Sequence, residues 1–157
     1  MTTNNEALGE VLNDLVKINN DRIAGYERAI KEAQDLDVDL KSMFEGMIRE
    51  SEQYKNDLIA KLGAIGGDVT TDTTLSGKIY RAWMDVKATF SGSSRQAILE
   101  NCEFGEDAWR RAYEAALASD VEMSADIRQL ITEQYGSEKN SHDLIKKYRD
   151  AHKEMNG

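Results

Sequence analysis

Residues 100–117 read ENCEFGEDAWRRAYEAAL, and within that run Cys102, Trp109, Tyr113 and Leu117 recur at helical spacing with Glu103, Glu106 and Glu114 set among them. Apolar positions three or four residues apart share one face of an α-helix, so the stretch predicts an amphipathic helix rather than a strand. Its carboxylates are not equivalent. Glu106 follows Cys102 by four residues and precedes Trp109 by three, inside the apolar stripe, whereas Glu103 is expected to face solvent.

The same period extends in both directions. Over residues 5–34 it runs through Leu8, Leu12, Leu15, Ile18, Ile23, Tyr26 and Ile30, and over 37–65 through Leu40, Met43, Met47, Tyr54, Leu58 and Leu62. Glycines in GAIGG (63–67) stop the second helix, because glycine accepts the left-handed backbone of a C-cap. A third long helix is predicted over 94–118, carrying Ile98, Leu99 and the opening stretch. Ser119-Asp120-Val121-Glu122 has the form of a capping box, which predicts a fourth over 120–154 with Ile127, Leu130, Gln134, Ile145 and Tyr148 on its face. Between the second and third lies a short helix over 75–89, with Ile79, Trp83 and Val86 on one side, flanked by the turn formers GGDVTTDTT and SGSS.

The chain of 157 residues has no proline, which suits long uninterrupted helices. At this length one domain is expected, burying about 70% of the surface of the unfolded chain. Short joints within the first and last helix pairs make two antiparallel hairpins, and the longer middle connection carries the chain across the bundle. The prediction is an all-α, single-domain four-helix bundle of two antiparallel hairpins with a short crossover helix.

Composition excludes several classes of function. A net charge of −9 disfavours nucleic acid and anionic membranes as partners, since both need clustered Lys and Arg. One cysteine, Cys102, rules out an internal disulfide, and it reads as a small core residue. The opening MTTNNEALGE has neither a basic n-region nor an apolar h-region, and no segment reaches the length of a membrane span. A cytoplasmic protein is expected. GAIGG is not a phosphate loop, because no strand and helix flank it in the required order. Two late histidines, His142 and His152, give no Ser-His-Asp arrangement.

LGAIGG (62–67), GKIYRAWMDVK (77–87), ILENCEFGEDAWRRAYEAAL (98–117) and HDLIKKYRD (142–150) together resemble an uncharacterised bacterial family of ferritin-like four-helix bundles, domain of unknown function 2383. The likeness spans nearly the whole chain, with Arg81-Ala82-Trp83 and Gly105-Glu106-Asp107 its most specific parts. It implies a ferritin-like fold and a bacterial, cytoplasmic setting, and it brings no activity.

Ferritin-like carboxylate centres take one Glu from each of two helices and a Glu-x-x-His pair from each of the other two. A faint repeat, Tyr-Glu-x-Ala-aliphatic at Tyr26–Ile30 and Tyr113–Leu117, nominates Glu27 and Glu114, with Glu106 as rival to Glu114. Glu50 and Glu138 are the acids available on the second and fourth long helices. Gln53 stands where the first pair needs histidine, and His142 lies one residue beyond the second position, about 100° around the helix. The candidate metal ligands are thus Glu27, Glu50, Glu106, Glu114 and Glu138, with Tyr26, Gln53, Tyr54, Tyr113, Gln134 and His142 as neighbours. No cofactor is assured; Fe or Mn is the metal such oxygen donors suit.

The competing reading makes these acids solvated helix charges, Glu27 pairing with Lys31 for a few tenths of a kcal/mol. Glu106 is then a partly buried acid hydrogen-bonded by Tyr26, Tyr54 or Gln134. Tyr80, Trp83 and Met84 are expected to pack across the end of the bundle. Two functions follow: a non-enzymatic bundle that self-associates, as a dimer or with a partner, in a stress or storage setting; or a carboxylate-bound Fe/Mn oxidoreductase or iron-handling protein.

Overall fold

A computed structural model describes residues 4–33, 37–67, 77–86 and 94–156, and within them five helices and no strand. They are α1 (Asn4–Glu32), α2 (Val38–Ala64), α3 (Lys78–Val86), α4 (Arg95–Leu117) and α5 (Ala125–Asn156). The fold is an all-α bundle, as the periodicity predicts. Residue 34, the turn-forming segment 68–76 and the outer ends of the predicted crossover helix, 75–76 and 87–89, lie outside the described residues, as does the side chain of His152. No described helix is long and apolar enough to cross a membrane.

The caps show why the helices stop where they do. Ser94 holds extended backbone and accepts the Ala97 N–H at 3.2 Å, which starts α4. At the end of α2 the Gly67 N–H reaches the Leu62 carbonyl at 2.9 Å and the Gly66 N–H reaches Gly63 at 3.1 Å. That pattern needs a left-handed residue, and Gly66 supplies it at φ 79°. The expected capping box does not form. Ser119 instead accepts the Val121 N–H in a local turn at 3.1 Å, and α5 starts at Ala125, where the Arg128 N–H meets the Ser124 carbonyl at 3.0 Å. Both serines can accept a backbone N–H, so sequence form alone could not choose between them.

Cross-helix bonds fix the topology. Asn19 and Arg22 of α1 meet Ser51 and Glu50 of α2, while a Cβ on Gly9 would touch Leu62, so α1 and α2 run antiparallel. Asp107 meets His142 and Arg110 meets Glu138, which makes α4 and α5 antiparallel too. Bonds from Asn19 to Tyr113 and from Gln134 to the Tyr54 carbonyl close the ring in the order α1, α2, α5, α4. In that ring α2 ends and α4 begins at opposite ends of the bundle, and α3 lies along the path between them.

α3 packs along the side of α1 and α4 rather than across the bundle end, a correction to expectation with a clear cause. The buried Asp14 carboxylate accepts the Gly77 and Tyr80 N–H groups at 2.9 and 3.1 Å, capping the first turn of α3 from another helix. Seven residues along α1, Asp21 accepts from the Tyr80 hydroxyl at 2.7 Å and the Trp83 indole at 2.9 Å. The rings themselves are buried against the α1 and α4 core, while Met84 stays 40% exposed.

The apolar interior is divided. One cluster holds Leu8, Leu12, Leu15, Leu58, Leu62, Trp109 and Ile131; the other holds Tyr26, Leu40, Phe44, Met47, Ile98, Leu99 and Ile145. Each such aliphatic or aromatic side chain contributes about 1.5–3 kcal/mol on burial. Between the two clusters lies a layer of polar side chains.

Candidate functional site

Helix spacing brings this layer together. Asn19 and Arg22 are three residues apart on α1, and they share the inward face with Leu15, Ile18 and Tyr26, all buried. Ser51 on α2, Glu106 on α4, and Gln134 and Glu138 on α5 stand at the same height, each no more than 3% exposed.

Arg22 is the centre. Its Nε donates to Glu106 Oε2 at 2.9 Å and its Nη2 to Glu106 Oε1 at 2.6 Å, a two-point pairing of guanidinium and carboxylate. Nη2 also reaches Glu50 Oε1 at 2.8 Å, and Nη1 donates to Ser51 Oγ at 2.8 Å. The Tyr26 and Trp109 rings lie 5.5 and 5.6 Å from the guanidinium carbon. Burial alone would pull the guanidinium down, but the Glu106 charge, with Tyr26 and Glu50 adding, holds it well above its ordinary value. Arg22 is a permanent cation here.

Asn19 spends its whole hydrogen-bonding capacity beside it. Its Nδ2 donates to the Leu15 carbonyl and to Tyr113 Oη, both at 2.9 Å, and its Oδ1 accepts from Ser51 at 3.0 Å and from the Trp109 indole at 3.2 Å. Tyr113 passes the chain on to Gln134 Oε1 at 2.6 Å, and Gln134 donates to the Tyr54 carbonyl at 3.1 Å. Trp109 stacks on Tyr113 with centroids 3.8 Å apart. A buried network satisfied in this way is rigid, since breaking any link strands a polar group in low dielectric.

Glu138 stands apart within the layer. Its Oε1 accepts from Arg110 Nη1 at 2.7 Å, while its Oε2, like the hydroxyls of Tyr26 and Tyr54, is buried without a hydrogen-bond partner. Burial pushes its carboxyl up to about 8; the Glu106 charge adds to the rise, and Arg110 and Arg22 oppose it. Burial likewise pushes the phenols of Tyr26, Tyr54 and Tyr113 up, and the Cys102 thiol with them, which makes that thiol a poor nucleophile.

The candidate ligands therefore separate. Glu50, Glu106 and Glu138 reach the layer, with Tyr26, Tyr54, Tyr113 and Gln134 around them. Glu27 and Glu114 are exposed on the outer faces of α1 and α4, and Glu114 accepts from the Tyr135 hydroxyl. Gln53 is exposed and bonds Asp57 at 2.9 Å, and His142 Nε2 lies 2.7 Å from Asp107 Oδ1, on the flank of α5 towards α4. Glu106 is buried as the stripe implies, but its donor is Arg22, not the expected Tyr26, Tyr54 or Gln134. Glu103 is half-buried against Arg149 rather than fully solvent-facing.

The donor set does not fit Fe or Mn. Among the described residues no three His, Cys, Asp or Glu side chains stand together as a metal would require. The charge that a cation would bring to Glu50 and Glu106 comes from the guanidinium between them, and carboxylate oxygens already held by N–H donors are weakened as ligands.

The family profile of a domain of unknown function, DUF2383, matches residues 7–119, close to three quarters of the chain. The chain belongs to that family. The match takes in Asn19, Arg22, Glu50, Ser51, Glu106, Trp109 and Tyr113, whereas Gln134 and Glu138 lie beyond it. No curated protein matches the chain.

Proposed function

We propose that the protein is a non-enzymatic, ferritin-like bundle of the bacterial cytoplasm that works by association, first with a second copy of itself. One observation carries the reading: the charged carboxylates at the centre, Glu50 and Glu106, are answered from within by Arg22, and Glu138 beside them is bonded by Arg110. A centre whose charges are spent on one another holds helices in register and leaves little with which to polarise a substrate. Two hairpins joined by a long connection support the ferritin-like topology. Helices of 29 and 32 residues, about 44 and 48 Å long, offer extended faces for pairing, and a stress or storage setting suits such an assembly.

Sedimentation velocity over a wide concentration range, combined with affinity capture, tests this. A reversible dimer or a stoichiometric partner is expected. A strict monomer that captures nothing would overturn the association, and a full equivalent of Fe or Mn retained after loading and desalting would favour the metal-handling alternative instead.

A further inference from the structure

Two carboxyl groups of the polar layer have almost no access to solvent, Glu106 at 1% exposure and Glu138 at 0%. One guanidinium of matching burial, Arg22, is committed to both oxygens of Glu106. Glu138 receives a single bond, from Arg110, whose side chain is 21% exposed and which also donates to the Tyr135 carbonyl at 3.4 Å. Its other oxygen, Oε2, is buried without a partner. An ionised carboxylate in low dielectric requires donors on both oxygens, whereas the neutral acid is far less costly to bury.

Glu138 also sits at the weakest joint of the ring. It lies on α5 between Gln134 and Ser141, whose bonds to the Tyr54 carbonyl at 3.1 Å and to Glu50 at 3.0 Å tie α5 to α2. A third tie, Lys61 to Asp126 at 2.9 Å, is exposed. The Tyr54 hydroxyl on the facing helix is buried and unbonded. Extra charge at this position acts where few bonds resist it.

We propose that Glu138 is a proton-binding switch: the packed bundle holds it as the neutral acid, and loss of its proton loosens the seam between α2 and α5. The ionisable groups that act on it are Arg22 on α1 and Glu106 and Arg110 on α4, and Glu50 of α2 meets the same face of α5 through Ser141. His142, one turn along α5, is engaged by Asp107. Burial raises the carboxyl most, Glu106 raises it further, and the two arginines oppose them, which leaves it at about 8. Because the folded value lies above that of the unfolded chain, the stabilisation from this proton is complete below the ordinary glutamate value and is lost as pH rises towards 8.

Urea unfolding from pH 5 to 9.5, on the wild type and on Glu138→Gln, tests the proposal together with hydrogen exchange of segments 47–58 and 134–145. The amide keeps the shape of the neutral acid and cannot ionise. Between pH 5 and 8 the wild-type folding constant is expected to fall, relative to that of Glu138→Gln, by up to about tenfold per pH unit. Both segments should lose protection at high pH in the wild type alone, after correction for intrinsic exchange. Parallel pH profiles, or protection that does not change with pH, would overturn the switch. Should Glu138→Gln fail to fold, the carboxyl carbon of Glu138 in labelled wild-type protein decides by NMR: titration above about 7 upholds the proton site, and titration at the ordinary glutamate value of about 4.3 ends it.

Discussion

Arg22 and Glu106, 84 residues apart in the chain, meet through two hydrogen bonds of 2.6 and 2.9 Å with each side chain only 2% exposed. A pair so deeply buried recovers its desolvation cost only while both members are present. Arg22→Met therefore leaves Glu106 buried without its counter-charge and is expected to destabilise the fold by about 3–5 kcal/mol in urea titrations. Arg22→Met combined with Glu106→Leu removes the stranded charge and should recover most of that loss. If the double variant is as unstable as the single, the pair does not act as a unit.

Gly77 marks the start of α3, and a methyl group built there would lie 2.5 Å from Asp14 Oδ2 and equally close to Glu10. Glu10 can swing away, but Asp14 is pinned by the N–H groups of Gly77 and Tyr80. Gly77→Ala should thus cost about 1–3 kcal/mol through overpacking and shift the indole N–H resonance of Trp83, whose bond to Asp21 depends on where α3 docks. An unshifted resonance with unchanged stability would show that this close approach is not a constraint.

How much of this was legible in the sequence depends on what decided each side chain's direction. The helical stripes required only apolar spacing, and most of the described positions they name are buried, the others half-buried. Glu106 could be singled out because it stands on a stripe. Arg22 shares a face with Leu15, Ile18 and Tyr26 by the same spacing, yet a long cation is normally expected to reach solvent, so register was the only signal and expectation ran against it. The Tyr-Glu repeat misdirected the choice of Glu27 and Glu114 for a geometric reason. Tyr26 and Tyr113 point inward, and a residue one step further on is turned by about 100°, which sends both acids outward. The orphaned oxygen of Glu138 and its weak tie to Arg110 depend on tertiary geometry and leave no mark on spacing.

Asp126, at the start of α5, is exposed, and its carboxyl is lowered to about 2, first by the Ser124 hydroxyl and then by Lys61. A depressed folded value means that the group adds stability above its ordinary value of 3.8 and loses it as pH falls towards 2. NMR titration of the Asp126 carboxyl should show it moving up in both Ser124→Ala and Lys61→Ala. A carboxyl that stays at about 2 in either variant would show that the partner removed there does not hold it down.

The polar layer divides the apolar interior, and apolar halves alone define helix register poorly, because leucine and methionine pack acceptably in several alignments. Asn19 does not have that freedom. Its four hydrogen bonds to Leu15, Ser51, Trp109 and Tyr113 are satisfied together in one alignment of α1, α2 and α4, so a slip of one turn would strand several buried groups at once. Replacing the layer with apolar residues of similar volume, Asn19→Leu, Arg22→Met, Ser51→Ala and Glu106→Leu together, is expected to leave stability within about 2 kcal/mol of the wild type. It should nevertheless broaden amide resonances and increase dye binding, the signs of loosened side-chain packing. A quadruple variant with sharp, well-dispersed spectra would show that the apolar halves specify register by themselves, and the layer would then have to be explained by its proton chemistry at Glu138 alone.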